Sequence, residues 1–282
     1  MSPSAAATPS AAAVAEWRFP NRATPPGSSA YYSIRFAPRS LHDALAALFA
    51  WRHEVGRVLD DVSDPGVARL KLDWWRDEIR RGIDGAPRHP LSHALAPALD
   101  AHALPLEPFL EQTQQVEDEL YARPHQDHRA RRQALAQDRG ALFELICRCH
   151  GATEPATLAS ARDTGAWCEQ VRRIRDAGLR LRRARPVLPD DALQAAGLTQ
   201  EQLASLQQRH RLPALLTTQV HTLRNDRPNP TGTAALPRVL RIQLNIHTAL
   251  LDELIRGQLD VVDQRIGLTP LRKLWLGWRT RP

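Results

Sequence analysis

The stretch Glu169–Pro189, EQVRRIRDAGLRLRRARPVLP, decides how the chain is read. Taken with the residue pair before it, Trp167, Val171, Ile174, Gly178 and Leu181 recur at spacings of four, three, four and three, which places them on one stripe of an α-helix. Glu169, Arg172, Asp176, Arg180 and Arg183 then share the opposite face. The expectation is a helix from about Ala159 to Arg183, stopped by Pro186 and Pro189, with one packing side and one charged side.

Outward from this helix the same period recurs. Towards the N-terminus, Leu41, Leu45, Leu48, Val55 and Leu59 form a stripe that Ser40 can cap and that should end at Pro65-Gly66. A second stripe, Ala68, Leu72, Trp75 and Ile79, closes with Arg80 and Arg81 at its negative end before Gly82. Residues 105–122 and 129–149 read as two more helices, the latter carrying Leu135, Leu142, Leu145 and Ile146. Asp190-Asp191 opens another, and helical segments continue through Leu215, Leu240 and Leu254 to the aromatic end Leu274-Trp275-Leu276-Gly277-Trp278. Strand signals are nearly absent, with no Asn-Gly or Asp-Gly hairpin turn. The expected class is all-α, a single compact helical bundle over residues 29–282. Residues 1–28, rich in Ala, Ser and Pro, are expected to form a flexible tail.

With 282 residues and 43% hydrophobic content the chain can bury one large core. No window reaches the roughly 18 uncharged apolar residues of a membrane span. The start lacks a basic residue followed by a long apolar run, which argues against a cleaved secretory signal and makes the cytoplasm the expected compartment, with peripheral contact to a membrane possible. Cys147, Cys149 and Cys168 are an odd number of thiols, against a disulfide framework, and are read as small buried hydrophobes. The net charge of +7 comes almost wholly from arginine, lysine occurring only at Lys71 and Lys273. Such a balance suits nucleic acid, anionic lipid or diphosphate. No aromatic residues interleave with Arg173, Arg175, Arg182, Arg183 and Arg185, so nucleic acid is not expected and these five are read as a solvated face. The tryptophans, mostly at stripe positions, are expected in the core.

Three segments together resemble the squalene/phytoene synthase family. Tyr31-Tyr32-Ser33 followed by Ala44–Val55 (ALAALFAWRHEV) is similar to the family's opening helix before its first aspartate motif. Leu72–Ile79 (LDWWRDEI) is similar to the helix after it, and Glu169–Pro189 matches the second aspartate helix and its exit to Leu-Pro without a gap. The likeness runs from about residue 29 to the C-terminus. It implies an isoprenoid synthase type of bundle whose central cavity binds prenyl diphosphates, with two facing aspartate motifs holding Mg2+. Magnesium bridged by carboxylates neutralises the charge of a departing diphosphate.

The sequence departs from that pattern. Gly56 and Arg57 stand in the leading slots of the first motif and only Asp60 is in place. In the second motif Asp176 is kept, its partner four residues on is Arg180, and Arg172 replaces the family's asparagine. An arginine in a carboxylate slot moves the local charge by two units towards the sign of the metal. The candidate catalytic residues are therefore Asp60 and Asp176, the candidate metal ligands Asp60, Asp61, Asp64 and Asp176, and the candidate substrate-binding residues Arg57, Arg172 and Arg180, whose guanidinium forks suit phosphate oxygens. The bland alternative is that Asp176 with Arg180, and Arg57 with Asp61, are ordinary i,i+4 pairs. Two functions follow from the resemblance. One is a non-catalytic or altered protein that binds an isoprenoid diphosphate or lipid, similar to the mitochondrial respiratory complex I assembly factor of this family, with a respiratory-complex or membrane-surface partner. The other is an active, Mg2+-dependent head-to-head prenyltransferase.

Overall fold

Every regular element is helical in the computed structural model, which describes residues 9–205 and 207–281. In chain order these are α1 (Ala11–Ala15), α2 (Ser29–Arg35), α3 (His42–Asp61), α4 (Pro65–Ile83), α5 (Pro90–Ala101), α6 (Glu107–Leu120), α7 (His128–Leu135), α8 (Ala141–Cys149), α9 (Pro155–Arg175), α10 (Ala177–Arg182), α11 (Asp190–Ala195), α12 (Gln200–Ala204), α13 (Leu212–Asn225), α14 (Pro230–Thr233), α15 (Arg238–Arg256) and α16 (Pro270–Arg279). The stripes read from sequence face inward: Leu45, Leu48 and Val55 on α3, and Leu72 and Ile79 on α4, are all fully buried. On α9, Trp167, Val171 and Ile174 are buried, and the stripe continues through Gly178 and Leu181 on α10. Helices α3, α9 and α15 form the inner frame. α5, α6 and α8 pack on α3, while α7, α8 and α15 pack on α9.

An aromatic cluster ties the first half together. Trp51 of α3 lies edge-on to Trp75 of α4 at 5.3 Å and to Phe109 of α6 at 5.5 Å. Each such pair adds about 0.5–1.5 kcal/mol beyond its buried area. Trp17, Trp51, Trp75 and Trp167 are core residues as expected, but Trp74, Trp275 and Trp278 are exposed. The aromatic end of the sequence is thus a surface feature.

Helix ends differ from the sequence reading for local reasons. Ser40 does not cap α3; it lies in a 3₁₀ turn, Arg39–Leu41, that leads into the helix. α3 stops at Asp61 because Asp64 caps the next helix, its Oδ1 accepting from the Val67 amide at 2.8 Å, with Pro65 in the first turn where its missing N–H costs nothing. The segment 129–149 is not one α-helix. A π turn over Ala136–Gly140 joins α7 to α8, and there the backbone runs against α9: a Cβ on Gly140 would meet the Arg162 carbonyl oxygen at 2.6 Å, and one on Gly165 the Arg139 carbonyl oxygen at 2.6 Å. The long helix read over 159–183 breaks at Asp176, which leaves helical geometry (φ −93°, ψ 12°). The following turn is fixed by Gly178, where any Cβ would lie 2.2 Å from the Val261 and Val262 carbonyl oxygens.

The reading of residues 1–28 as a flexible tail requires correction over the part the structure describes; residues 1–8 lie outside the described residues. Trp17 is buried under the guanidinium of Arg22, 4.1 Å from its ring. Buried Asn21 donates from Nδ2 to the carbonyls of Trp17 (2.8 Å) and Ala46 (3.1 Å), and Arg22 pairs with Glu54 of α3 at 2.9 Å. Trp17, Asn21 and the Arg22–Glu54 pair anchor a segment whose average composition has little to bury.

Candidate functional site

Inner faces of α3, α9, α10 and α15, with the end of α6, enclose a cavity of about 580 Å3. Residues 23 and 27–30, from the segment read partly as tail, form part of its wall. Asp60 and Asp176, more than a hundred positions apart in sequence, both line it, and so do Arg57, Arg172 and Arg180. Asp61 and Asp64 do not. Asp61 pairs with Arg57 at 2.9 Å, the i,i+4 pair foreseen, and Asp64 is occupied as the cap of α4.

Each carboxylate in the cavity is clasped by guanidinium groups. Asp60 accepts from Arg183 Nη1 at 2.7 Å and from Arg185. Asp176 accepts from Arg175 (Nε 2.9 Å, Nη2 2.7 Å), from Arg265 at 3.0 Å and from Arg172 at 3.5 Å. Burial pushes the Asp176 carboxyl upward, but the hydrogen bonds and charge of Arg175, with Arg172 and Arg265, outweigh it and hold the group below the usual carboxylate range. Arg180 does not pair with Asp176. It donates Nε to the Pro186 carbonyl at 3.0 Å and stands 3.7 Å from Glu119.

Several residues central to this arrangement were not read as candidate site residues from the sequence. Glu119, at the end of α6, bonds Arg173; burial would raise its pKa, yet Arg173, Arg180 and Arg52 bring it down to about 2. Buried Glu169 accepts from Arg172 Nε at 2.7 Å and from Arg173 at 3.3 Å. Arg52 of α3 forms a bidentate pair with buried Asp138 of the π turn, one arm at 2.7 Å. The Arg52 guanidinium also covers Gly56, its Nη1 lying 2.4 Å from where a Cβ would be built on that residue. The reading of Arg173, Arg175 and Arg185 as a solvated face is corrected: all three line the cavity, and Arg173 is only 7% exposed. The charged side of the 169–183 stripe was visible; that it faces inward depends on which neighbours cover it.

In all, eleven basic side chains line the cavity against four carboxylates. Magnesium does not fit this donor set. A Mg2+ site needs oxygen ligands free to converge on one point. Here the retained aspartates are engaged by arginines, the slot at Gly56 is filled by a guanidinium, and no three His, Cys, Asp or Glu side chains are placed to share an ion among the described residues. The three cysteines are buried free thiols, Cys147 and Cys149 each pushed up to about 12 by burial.

A family model, squalene/phytoene synthase, matches residues 23–272. The chain belongs to that family. Similar proteins include the phytoene synthases of Mycobacterium bovis and Mycobacterium tuberculosis, each 28% identical over 170 residues, 60% of this chain. The matched stretch spans only about half, 55%, of the length of those relatives. Among solved structures, squalene synthase HpnC from Alicyclobacillus acidocaldarius superposes with a TM-score of 0.69 at 19% identity, covering 84% of this chain and 92% of that one. A dehydrosqualene synthase in complex with ligand gives 0.74 at 14% identity, covering 89% and 90%. These two likenesses establish the shared helical fold, and the family match begins at residue 23, within the wall-forming segment.

Proposed function

We propose that this protein is a squalene/phytoene synthase family member that grips the diphosphate of an isoprenoid through arginines, without magnesium, and does not condense two prenyl groups. The reading rests on one observation, the excess of eleven basic side chains over four already paired carboxylates in the cavity. Guanidinium groups in a partly desolvated pocket bind phosphate oxygens through short charge-assisted hydrogen bonds. A diphosphate held that way lacks the hard divalent cations that neutralise it as it leaves. Arg57, Arg172 and Arg180 are the proposed contacts. The functional analogy is with the non-catalytic, assembly-factor-like branch of the family, and the competing assignment is the active prenyltransferase with Asp60, Asp61, Asp64 and Asp176 as ligands. Calorimetric titration with a non-hydrolysable farnesyl diphosphate analogue decides between them. Binding unchanged by EDTA and weakened at least about tenfold by Arg172→Ala supports the reading, one charge-assisted bond being worth about 1.5–3 kcal/mol. Mg2+-dependent affinity lost in Asp176→Ala, with product formed from radiolabelled farnesyl or geranylgeranyl diphosphate, would restore the synthase.

A second reading concerns where the protein works. No helix of the described residues is long and apolar enough to cross a membrane, yet Leu271 (78% exposed), Trp275 and Trp278 form one exposed stripe on α16. Arg279 sits 5.0 Å from the Trp275 ring, and exposed Arg281 follows it. Apolar and indole groups beside cations match an anionic lipid surface in both polarity and charge. Co-sedimentation with phosphatidylglycerol vesicles but not phosphatidylcholine vesicles, lost in the double variant Trp275→Ala, Trp278→Ala, is the expected result. Equal recovery with both lipids would remove the reading.

A further inference from the structure

A second cavity, of about 430 Å3, adjoins the first, and Glu119, Arg173 and Arg180 line both. Its other walls come from the turn after α6, from α7 with the π turn, and from Pro186–Leu188. Three guanidinium groups reach it from buried positions: Arg131 is 6%, Arg173 7% and Arg180 8% exposed. Their partners do not balance them. Arg173 is satisfied by Glu119 and Glu169. Arg180 has only Glu119, at 3.7 Å, beyond hydrogen-bonding distance. Arg131 has no carboxylate within reach among the described residues, and its one hydrogen bond there runs from Nη1 to the Val187 carbonyl at 2.8 Å.

The remaining acids around this cavity are committed elsewhere. Asp138 is held on both oxygens by Arg52, and exposed Asp118 accepts from Gln114. A guanidinium offers five N–H donors, so most of those on Arg131 have no protein acceptor. Burial, with Arg173 and Arg180 close by, pushes Arg131 down to about 9, and burial with Arg173 pushes Arg180 down to about 10. A buried charge is ordinarily paired, because leaving it unpaired forfeits its hydration. Three cations against Glu119, with Glu169 already shared by Arg172, leave an excess that a compact dianion would balance. Apolar surface from Leu135, Val187 and Leu188 lies beside these groups.

We propose that the second cavity is an anion site separate from the first, taking a phosphate or phosphomonoester dianion on Arg131 and Arg180. The inference does not rest on the function proposed above, since Arg131 lines only the second cavity; Arg180 lines both, so an anion held by Arg180 in the first cavity would compete with one in the second. Inorganic phosphate and farnesyl monophosphate are the probes, with sodium chloride at matched ionic strength as the control. Each is titrated by calorimetry and by thermal melting into the wild type, Arg131→Met and Arg57→Ala, the last affecting only the first cavity.

Saturable phosphate binding is expected in the wild type and in Arg57→Ala, and at least about tenfold weaker in Arg131→Met. Without anion, Arg131→Met should melt no lower than the wild type, because it removes an unpaired buried charge. Farnesyl monophosphate binding more tightly than phosphate would identify a lipid headgroup as the source; equal affinity would identify free phosphate. If Arg131 is only a strut for the Val187 carbonyl, Arg131→Met lowers the anion-free melting temperature and leaves phosphate binding unchanged, and the proposal is wrong. Absence of saturable phosphate binding in both wild type and Arg57→Ala overturns it without any need for the Arg131 variant to fold.

Discussion

His247 is buried on α15 and lines the first cavity, with Nδ1 donating to the Gln243 carbonyl at 2.7 Å. Burial, opposed by that hydrogen bond and aided by Arg139 and Arg175, lowers its pKa to about 3. In the unfolded chain the imidazole titrates near 6.5. Between these values the unfolded state binds the extra proton, so acid favours unfolding, and the stability present above pH 6.5 drains away as pH falls towards 3. Glu119, lowered to about 2, adds to the loss below about pH 4.5. Replacing His247 by Gln should flatten the dependence of unfolding free energy on pH between 6 and 4.5 by close to one proton, about 1.4 kcal/mol per pH unit. Urea titrations at several pH values measure this, and an unchanged slope would show that His247 is not held neutral. Single-residue chemistry of this kind was the hardest to see in the sequence. Nothing local to Glu119, Arg52 or His247 marks them; their roles come from burial and from the partners that folding brings near, Arg173 for Glu119 and Asp138 for Arg52. Asp60 and Asp176 were legible only because flanking segments supplied a frame in which to place them.

At the scale of elements, hydrophobic period carried the reading well where one helix face is buried. It located α3, α4, α6, α9, α13 and α15, but α5 was passed over, its Pro97 lying inside the helix and masking the pattern. The π turn at Ala136–Gly140 was invisible for another reason. One wide turn leaves Leu135 and Leu142 both inward-facing, so a continuous α-helix explains the spacing equally well. Its function in the fold is to bring Asp138 to Arg52 and to let two glycine backbones touch. Gly165→Ala would push a methyl group into the Arg139 carbonyl, a backbone atom that cannot swing aside. The expected cost is about 1–3 kcal/mol, seen as a lower urea midpoint with an unchanged m-value. A neutral result would mean that α9 and the π turn separate easily, and the placement of Arg52 and Asp138 would then be loose.

Over the whole molecule, part of the charge is turned inward. Many of the basic residues behind the net +7 gather around the interior cavity, and the charged stripe of α9 and α10 turns inward while the aromatic end of the chain turns outward. Composition reports neither fact, since it counts side chains without saying which face a helix shows its neighbours. The same limit hid the packing of residues 17–28, where the Phe19 amide, Asn21 and Arg22 tie the segment to Asp43, Ala46 and Glu54 of α3. What the sequence did convey about the whole was its class and the family frame, because both are written in ordered segments spread along the chain.

The guanidinium of Arg52 above Gly56 also bears on the history open to this protein. A substitution returning aspartate to position 56 would set the new carboxylate against Arg52 and make an ion pair in place of a metal ligand. Freeing such a carboxylate would mean removing Arg52, which in turn strands the buried carboxylate of Asp138. Arg57 and Arg180 would have to change as well before a metal gained its oxygens. No single substitution therefore sets a free carboxylate at position 56, because the residue that would meet it is already committed to Asp138 on the far side of the cavity wall.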